Sequence, residues 1–358
     1  MDKIELSIDP EGLPDWGVWE AVRELIQNWN DNKEDKWWNY SEENSVLTFI
    51  NSSTVLPRKC LLVGNSTKRS DTNSIGRHGD GLKSALAVIL REGLTVNIVN
   101  GDYAWNPSIE YSETYDTDVL VIEETGVDFP RGEFIVTVSL PPQCWEEVQE
   151  KCLLLRDYPT NVHQTSRGVI LKDPEYIGKI FCGGIYVSTM DNLEYGYDFK
   201  PSILKLDRDR KSVDSFDVKW TTKDMWTETV EDENSADAVA ELLYSGSADL
   251  QYLNHGYVEP KLEKSILKIY DQKFPDKMLV ANREDSLDIN KEHGNVSVYL
   301  GNDAFTNIVV SSDKYQSKSF EFSSSSPVEK LEDWKEKWEE NMCHDMLSEL
   351  ESIIEKLN

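Results

Sequence analysis

Apolar residues recur at helical spacing in PDWGVWEAVRELIQNWND, residues 14–31, where Val18, Ala21, Val22, Leu25, Ile26 and Trp29 form one stripe. Asp15 is placed to cap that helix. A polar loop is expected next, then a strand in SVLTFINSS (45–53) and a short hydrophobic element at 57–63. The polar segment GNSTKRSDTNS (64–74) leads into a glycine cluster, and LKSALAVILREG (82–93) reads as a helix closed by Gly93. Strands with intervening turns follow in LTVNIVNGDYAW (94–105), DVLVIEETG (118–126) and EFIVTVSLP (133–141), the last alternating cleanly.

This order predicts an α+β protein whose N-terminal part is an α/β sandwich, helices covering one face of a mixed, mostly antiparallel sheet. Pro141-Pro142 marks the expected end of a first domain, 1–141. A second α/β region, 142–322, opens with the helix PPQCWEEVQEKCLLLRD. It continues with strands and turns to about residue 215, helices over 234–275 and short strands over 277–322. SSSSP (323–327) reads as a linker and 328–358 as a charged C-terminal helix. On that helix Leu331, Trp334, Trp338, Met342, Met346 and Leu350 fall at helical spacing, a stripe read as packing on its own domain.

Composition narrows the classes of function. With 66 acidic and 37 basic residues the net charge is -29, a field that repels phosphate backbones, so no direct nucleic-acid partner is expected. The same charge suits a solubilising surface or an acidic face for a basic protein partner. The five cysteines form no CxxC pair, which points away from a zinc site or a disulfide framework. No run of eighteen apolar residues occurs and the N-terminus lacks an apolar signal core, so a cytoplasmic chain with no membrane partner is expected.

Candidate chemistry lies in two stretches. SIGRHGDGLKSA (74–85) has the glycine gap of a P-loop, but Leu82 separates Gly81 from Lys83 and Ser84. No strand feeds the glycines, so both a P-loop and a dinucleotide loop are excluded on context. What remains is an anion site: Gly76, Gly79 and Gly81 allow close backbone approach, and the helix starting near Leu82 aims unpaired N–H groups back at them. Lys83 adds a cation. Fifty residues earlier, Glu24, Asn28 and Asp31 sit at i, i+4 and i+7, within about 60° of one another around their helix. A carboxylate there can polarise water, and an amide oxygen can ligate Mg²⁺.

Together these stretches resemble the GHKL ATPases of the Bergerat fold, a family that includes gyrase B subunits, MutL, histidine kinases and the ninety-kilodalton heat-shock chaperones. The family's ExxxNxxD is matched by ELIQNWND (24–31), and its IGxxGxGxxS by IGRHGDGLKS (75–84), in family order. The resemblance covers about residues 10–141. It implies ATP and Mg²⁺ as ligands, Glu24 as the general base, Asn28 as the magnesium ligand and Asp31 on the phosphate side. It also implies a lid of Gly76, Gly79 and Gly81, and Lys83, Ser84 and Lys68 near phosphate. Thr137, in the strand RGEFIVTVSL, would line the adenine pocket. The family's DxGxG is replaced by NSSTVLP, with Asn51 at the base-reading position and no glycine. An Asn carbonyl accepts a hydrogen bond without charge assistance. In the second region Lys200, Arg208 and Arg210 are candidates for a basic residue reaching the γ-phosphate, as transducer domains of the family supply.

By resemblance, the expected activity is slow Mg-dependent ATP hydrolysis driving a conformational switch, with a protein partner or a second copy captured in the ATP state. The alternative is a weak or inactive nucleotide-binding regulatory protein with an acidic partner-binding surface.

Overall fold

The structure, a computed structural model, describes residues 2–32, 35–62, 80–128, 132–204, 206, 213–293, 296–316, 328, 331, 332, 334, 335 and 344–357. The chain divides into two compact units, residues 1–218 and 219–358.

The first unit is α+β, as expected. A seven-stranded sheet is built from β1 (Asp2–Leu6), β2 (Lys36–Ser41), β3 (Val46–Asn51), β4 (Val96–Asn100), β5 (Tyr103–Ser112), β6 (Thr117–Gly126) and β7 (Phe134–Ser139). Its order is β1-β6-β5-β4-β7-β3-β2, and every pairing is antiparallel. Three helices, α1 (Val18–Asn30), α2 (Gly81–Arg91) and α3 (Pro142–Lys151), accompany it. Alternation decides which sheet face is covered: Leu47 and Phe49 of β3, Val136 and Val138 of β7, and Trp105 of β5 are buried with the stripe of α1 in one core. Each such aliphatic side chain contributes about 1.5–3 kcal/mol by leaving water.

The helix α1 is buried almost all round, polar residues Arg23, Glu24 and Gln27 included. It opens at Val18 with Gly17 in the capping position, and the carboxylate of Glu20 accepts the Gly17 N–H at 2.9 Å. Asp15, the expected cap, lies upstream of the helix. The reason is local: the turn around Trp16 is gripped by Arg91, whose guanidinium bonds the carbonyls of Pro10, Leu13 and Trp16. At the far end of α2, Gly93 takes φ +75°, the left-handed conformation expected of a helix stop.

The expected polar loop after α1 contains the edge strand β2. Its outward Trp37, 53% exposed, interrupts the pattern, while Trp38 and Tyr40 turn inward and pack on Trp145 of α3, Tyr40 stacked at 4.4 Å. The strand β1 was likewise not anticipated. Its charged DKIEL pattern buries only Leu6 outright.

Beyond α3, a five-stranded sheet has order β11-β10-β12-β9-β8. It comprises β8 (Val162–Gln164), β9 (Gly168–Leu171), β10 (Lys179–Cys182), β11 (Ile185–Thr189) and β12 (Gly196–Phe199). Only β10 and β12 run parallel among its pairings.

From Ser215 onward the described residues are mainly helical: α4 (Ser215–Glu228), α5 (Glu233–Tyr244), α6 (Pro260–Lys273), α7 (Arg283–His293), α8 (Asp303–Ser311) and α9 (His344–Leu357), with two-residue strands β13 (Met278–Leu279) and β14 (Ser297–Val298). The expectation of short strands over 277–322 is met by β13 and β14 and corrected at α7 and α8; 317–322 lie outside the described residues. Ala304, Phe305, Ile308 and Val309 follow the helical period, and Asn302 caps α8 by accepting the Phe305 N–H at 3.1 Å. On α9 Leu350 and Ile354 are buried while Met346 is exposed. Trp338 and Met342, and the linker at 323–327, lie outside the described residues.

Candidate functional site

The sandwich sets the N-terminus of α2 against the middle of α1. The contact is so close that a Cβ added at Gly81 would stand 2.3 Å from Glu24 Oε2, inside any permitted separation. The space is kept by the lack of a side chain, not by a left-handed φ, and any larger residue would make the end of the Glu24 side chain move aside. Glu24 is 8% exposed, and its Oε1 lies 3.5 Å from the Arg23 guanidinium. A carboxylate, a helix N-terminus and a close-approach glycine therefore meet at one point.

Asn28, one turn beyond Glu24 on the same face, is half-buried, and Asp31 ends the helix with its N–H on the Gln27 carbonyl. Ser84 is half-buried in the first turn of α2, its N–H bonded to the Asp80 carbonyl at 2.9 Å. Lys68, Gly76 and Gly79 lie outside the described residues.

Lys83 has a different setting from its neighbours. It is fully buried, and its ammonium donates to the carbonyls of Cys60 (3.1 Å) and Leu62 (2.8 Å), with Asp80 Oδ1 at 3.6 Å. Burial pushes its pKa below the ordinary lysine value, against the opposing pull of Asp80. The same burial pushes the nearby Cys60 thiol up, partly offset by Lys83. Lys83 thus fastens α2 to the turn at Arg58–Leu61.

The region after β3, where the resemblance puts the base, is held by amides. Asn51 is buried at the end of β3, and its Nδ2 donates to the Trp29 carbonyl of α1 at 3.1 Å. Asn32 donates to Thr54 Oγ1 at 2.5 Å. Ser53 adopts φ +57°, so the glycine-favouring backbone is kept where the sequence has no glycine. Asn100, ending β4, accepts the Leu56 N–H at 2.7 Å and donates to the Leu56 carbonyl at 2.8 Å. Beside it, Arg58 pairs with Glu124 and Asp2, and the Trp105 indole donates to Glu124 at 2.8 Å. Arg58, Asn100, Trp105 and Glu124 line a cleft of about 260 Å³; Asn51 and Asn32 are not among its lining residues.

Thr137 is not brought to this place. Asn51 pairs with Phe134 and Thr48 with Thr137, so Thr137 sits on the sheet face opposite Asn51, and Phe134 and Val136 occupy the face the helices cover. A shift of one residue along a strand changes the face, and alternation alone gave no way to anchor the motif's register. Lys200 lies after β12, its ammonium on the Ser166 carbonyl at 2.7 Å; Arg208 and Arg210 fall outside the described residues.

Sequence reasoning missed Arg23 and Gln27, which are charged or polar yet buried, and the Asn100 clamp. Asn100-Gly101 reads as a turn, which it is, with Gly101 at φ +63°. Nothing in the spacing announces a partner 44 residues away.

Among the described residues no helix is long and apolar enough to cross a membrane. No family model matches the chain. Over 218 residues it is 25% identical to an uncharacterized protein of Mycoplasma pneumoniae (strain ATCC 29342 / M129 / Subtype 1), across 56% of this chain and 87% of that protein. Among solved structures it is similar to the ATPase region of Saccharomyces cerevisiae topoisomerase II at 11% identity and a TM-score of 0.28. That alignment covers 48% of this chain and 62% of the other, under two thirds of its length, and a likeness at this score carries no argument.

Proposed function

We propose that the first unit binds Mg-ATP in the manner of a GHKL ATPase and hydrolyses it slowly, as a nucleotide-driven switch. The observation that carries this reading is the seating of the Glu24 carboxylate against Gly81: the acid helix and the glycine helix, fifty residues apart in sequence, are in contact. In this reading Glu24 orients a water and takes its proton as that water attacks the γ-phosphorus. The N-terminus of α2 offers N–H groups and a positive dipole end to the phosphates.

The donor set suits magnesium. Asn28 supplies a hard oxygen one turn from Glu24, and the absence of a side chain at Gly81 keeps the carboxylate's approach open. When bound, the ion would neutralise phosphate charge; Asn28 would hold it, and Asp31 would support the phosphate side. Lys83 acts by position, holding α2 in place through Cys60 and Leu62.

A second reading, a nucleotide-binding regulatory module with little turnover, draws on Asn51, which replaces a charged acceptor and spends an amide hydrogen on Trp29. Calorimetry with Mg-ATP and a turnover assay separate the two. Binding with turnover that Glu24→Ala abolishes is expected. Binding with equal turnover in both chains removes Glu24 as base, binding without turnover leaves the second reading, and no binding sinks both.

A further inference from the structure

Two buried polar atoms on α1 have no hydrogen-bond partner among the described residues: Arg23 Nε, a donor, and Gln27 Oε1, an acceptor. Their residues are 2% and 1% exposed. They stand at i and i+4, one above the other on one helix face, about 5–6 Å apart at their Cβ atoms. Buried polar groups in folded proteins are paired, with protein or with ordered water. A buried donor and a buried acceptor one turn apart on the same helix, each left open, suit a water site: a buried water needs about two to four polar partners. Bulk solvent does not reach these atoms, so a water there is part of the fold.

The position gives that water a role. The Arg23 guanidinium is steered at three points. It lies 5.7 Å from the centre of the Trp16 ring, its Nη2 approaches Glu24 Oε1 at 3.5 Å, and its Nε is the open donor. We propose that a water held between Arg23 Nε and Gln27 Oε1 fixes the guanidinium that reaches Glu24, making Gln27 a positioning residue for that carboxylate. Gln27 acts through the water and Arg23 and touches no substrate. The water site stands on burial and open valences alone, and its effect on turnover rests on the ATPase reading above.

The test has two arms, both on the full chain. A crystal structure at a resolution that shows ordered water is expected to contain density within hydrogen-bond distance of both Arg23 Nε and Gln27 Oε1, and to lose it in Gln27→Leu. A dry gap, or a direct Arg23–Gln27 bond, overturns the water site. In kinetics, Gln27→Leu is expected to lower turnover about tenfold with the Mg-ATP dissociation constant unchanged, and Gln27→Glu, which keeps an acceptor, to restore it to within about threefold. Equal loss in both variants, or no loss in either, overturns the positioning role. If the wild type shows no turnover, the positioning role falls with the ATPase reading, and the density still decides the water.

Discussion

The two ends of the candidate site are specified by opposite means. At the N-terminus of α2 the decisive feature is an absent side chain: Gly81 leaves the space that the Glu24 carboxylate occupies. At the end of β3 and in the segment after it the ties are made by side chains, with Asn51 on Trp29, Asn32 on Thr54, Asn100 on both backbone groups of Leu56 and Lys83 on Cys60 and Leu62. A contact made by subtraction is lost on enlargement, because the carboxylate has to move. A segment held by several polar ties weakens in steps.

The sharpest way to break this contrast is Gly81→Ala. Its methyl would stand 2.3 Å from Glu24 Oε2, so the carboxylate must swing aside: turnover is expected to fall about a hundredfold, with a stability cost of at most about 1 kcal/mol because the end of a flexible side chain gives way. In a Glu24→Ala background the stability cost should vanish. A double-mutant cycle by denaturant titration checks this, and additive costs would show that the clash is not with Glu24. At the other end, Asn100→Ala leaves the Leu56 N–H and carbonyl without their partner and should cost about 2 kcal/mol by the same titration, with turnover reduced only in proportion to folded protein.

Lys83 predicts a pH effect of known sign. Its folded pKa lies below the ordinary 10.5, so in the window beneath 10.5 the unfolded chain binds more protons. Wild type should therefore gain stability relative to Lys83→Met as pH rises from about 8 to about 10, read as a widening difference in denaturation midpoint. A constant difference would place the ammonium in a less desolvated setting. The smallest effect is expected at Ser53, whose φ of +57° suits glycine: Ser53→Gly should stabilise by about 0.5–1 kcal/mol, seen as a rise in Tm.

What the sequence disclosed follows the same contrast. Glu24, Gly81 and the stripe of α1 were readable because periodicity and glycine spacing are local patterns. The inward turn of Trp38 and Tyr40 was not, since the exposed Trp37 and the polar Asn39 between them mask the alternation. The face of Thr137 depends on the pairing of β7 with β3, which separates residues by some ninety positions and leaves no local trace. The Asn100 clamp is hidden for the same reason. The helix at 283–293 is hard to read because its apolar residues are few, with Leu287 itself exposed, and that at 303–311 because it is short and rich in β-branched residues that suit a strand as well.

The strand register also bears on how the chain comes to be folded. Leu6 lies opposite Leu120, and Asn51 opposite Phe134; β2 and β3 pair with each other, but β1 has no partner until the sixth strand, and the β2–β3 hairpin joins the rest of the sheet only through the seventh. Closing such long loops precedes any gain from pairing, which makes the sheet a late, cooperative event and slows folding. During synthesis, α1 emerges with its apolar stripe long before the surface that buries it. A nascent chain halted ahead of Phe134 should hold β3 only in its hairpin with β2, which is marginal by itself, so hydrogen-exchange protection there should stay weak until β7 is added, and the chain should depend on chaperones to keep α1 from aggregating.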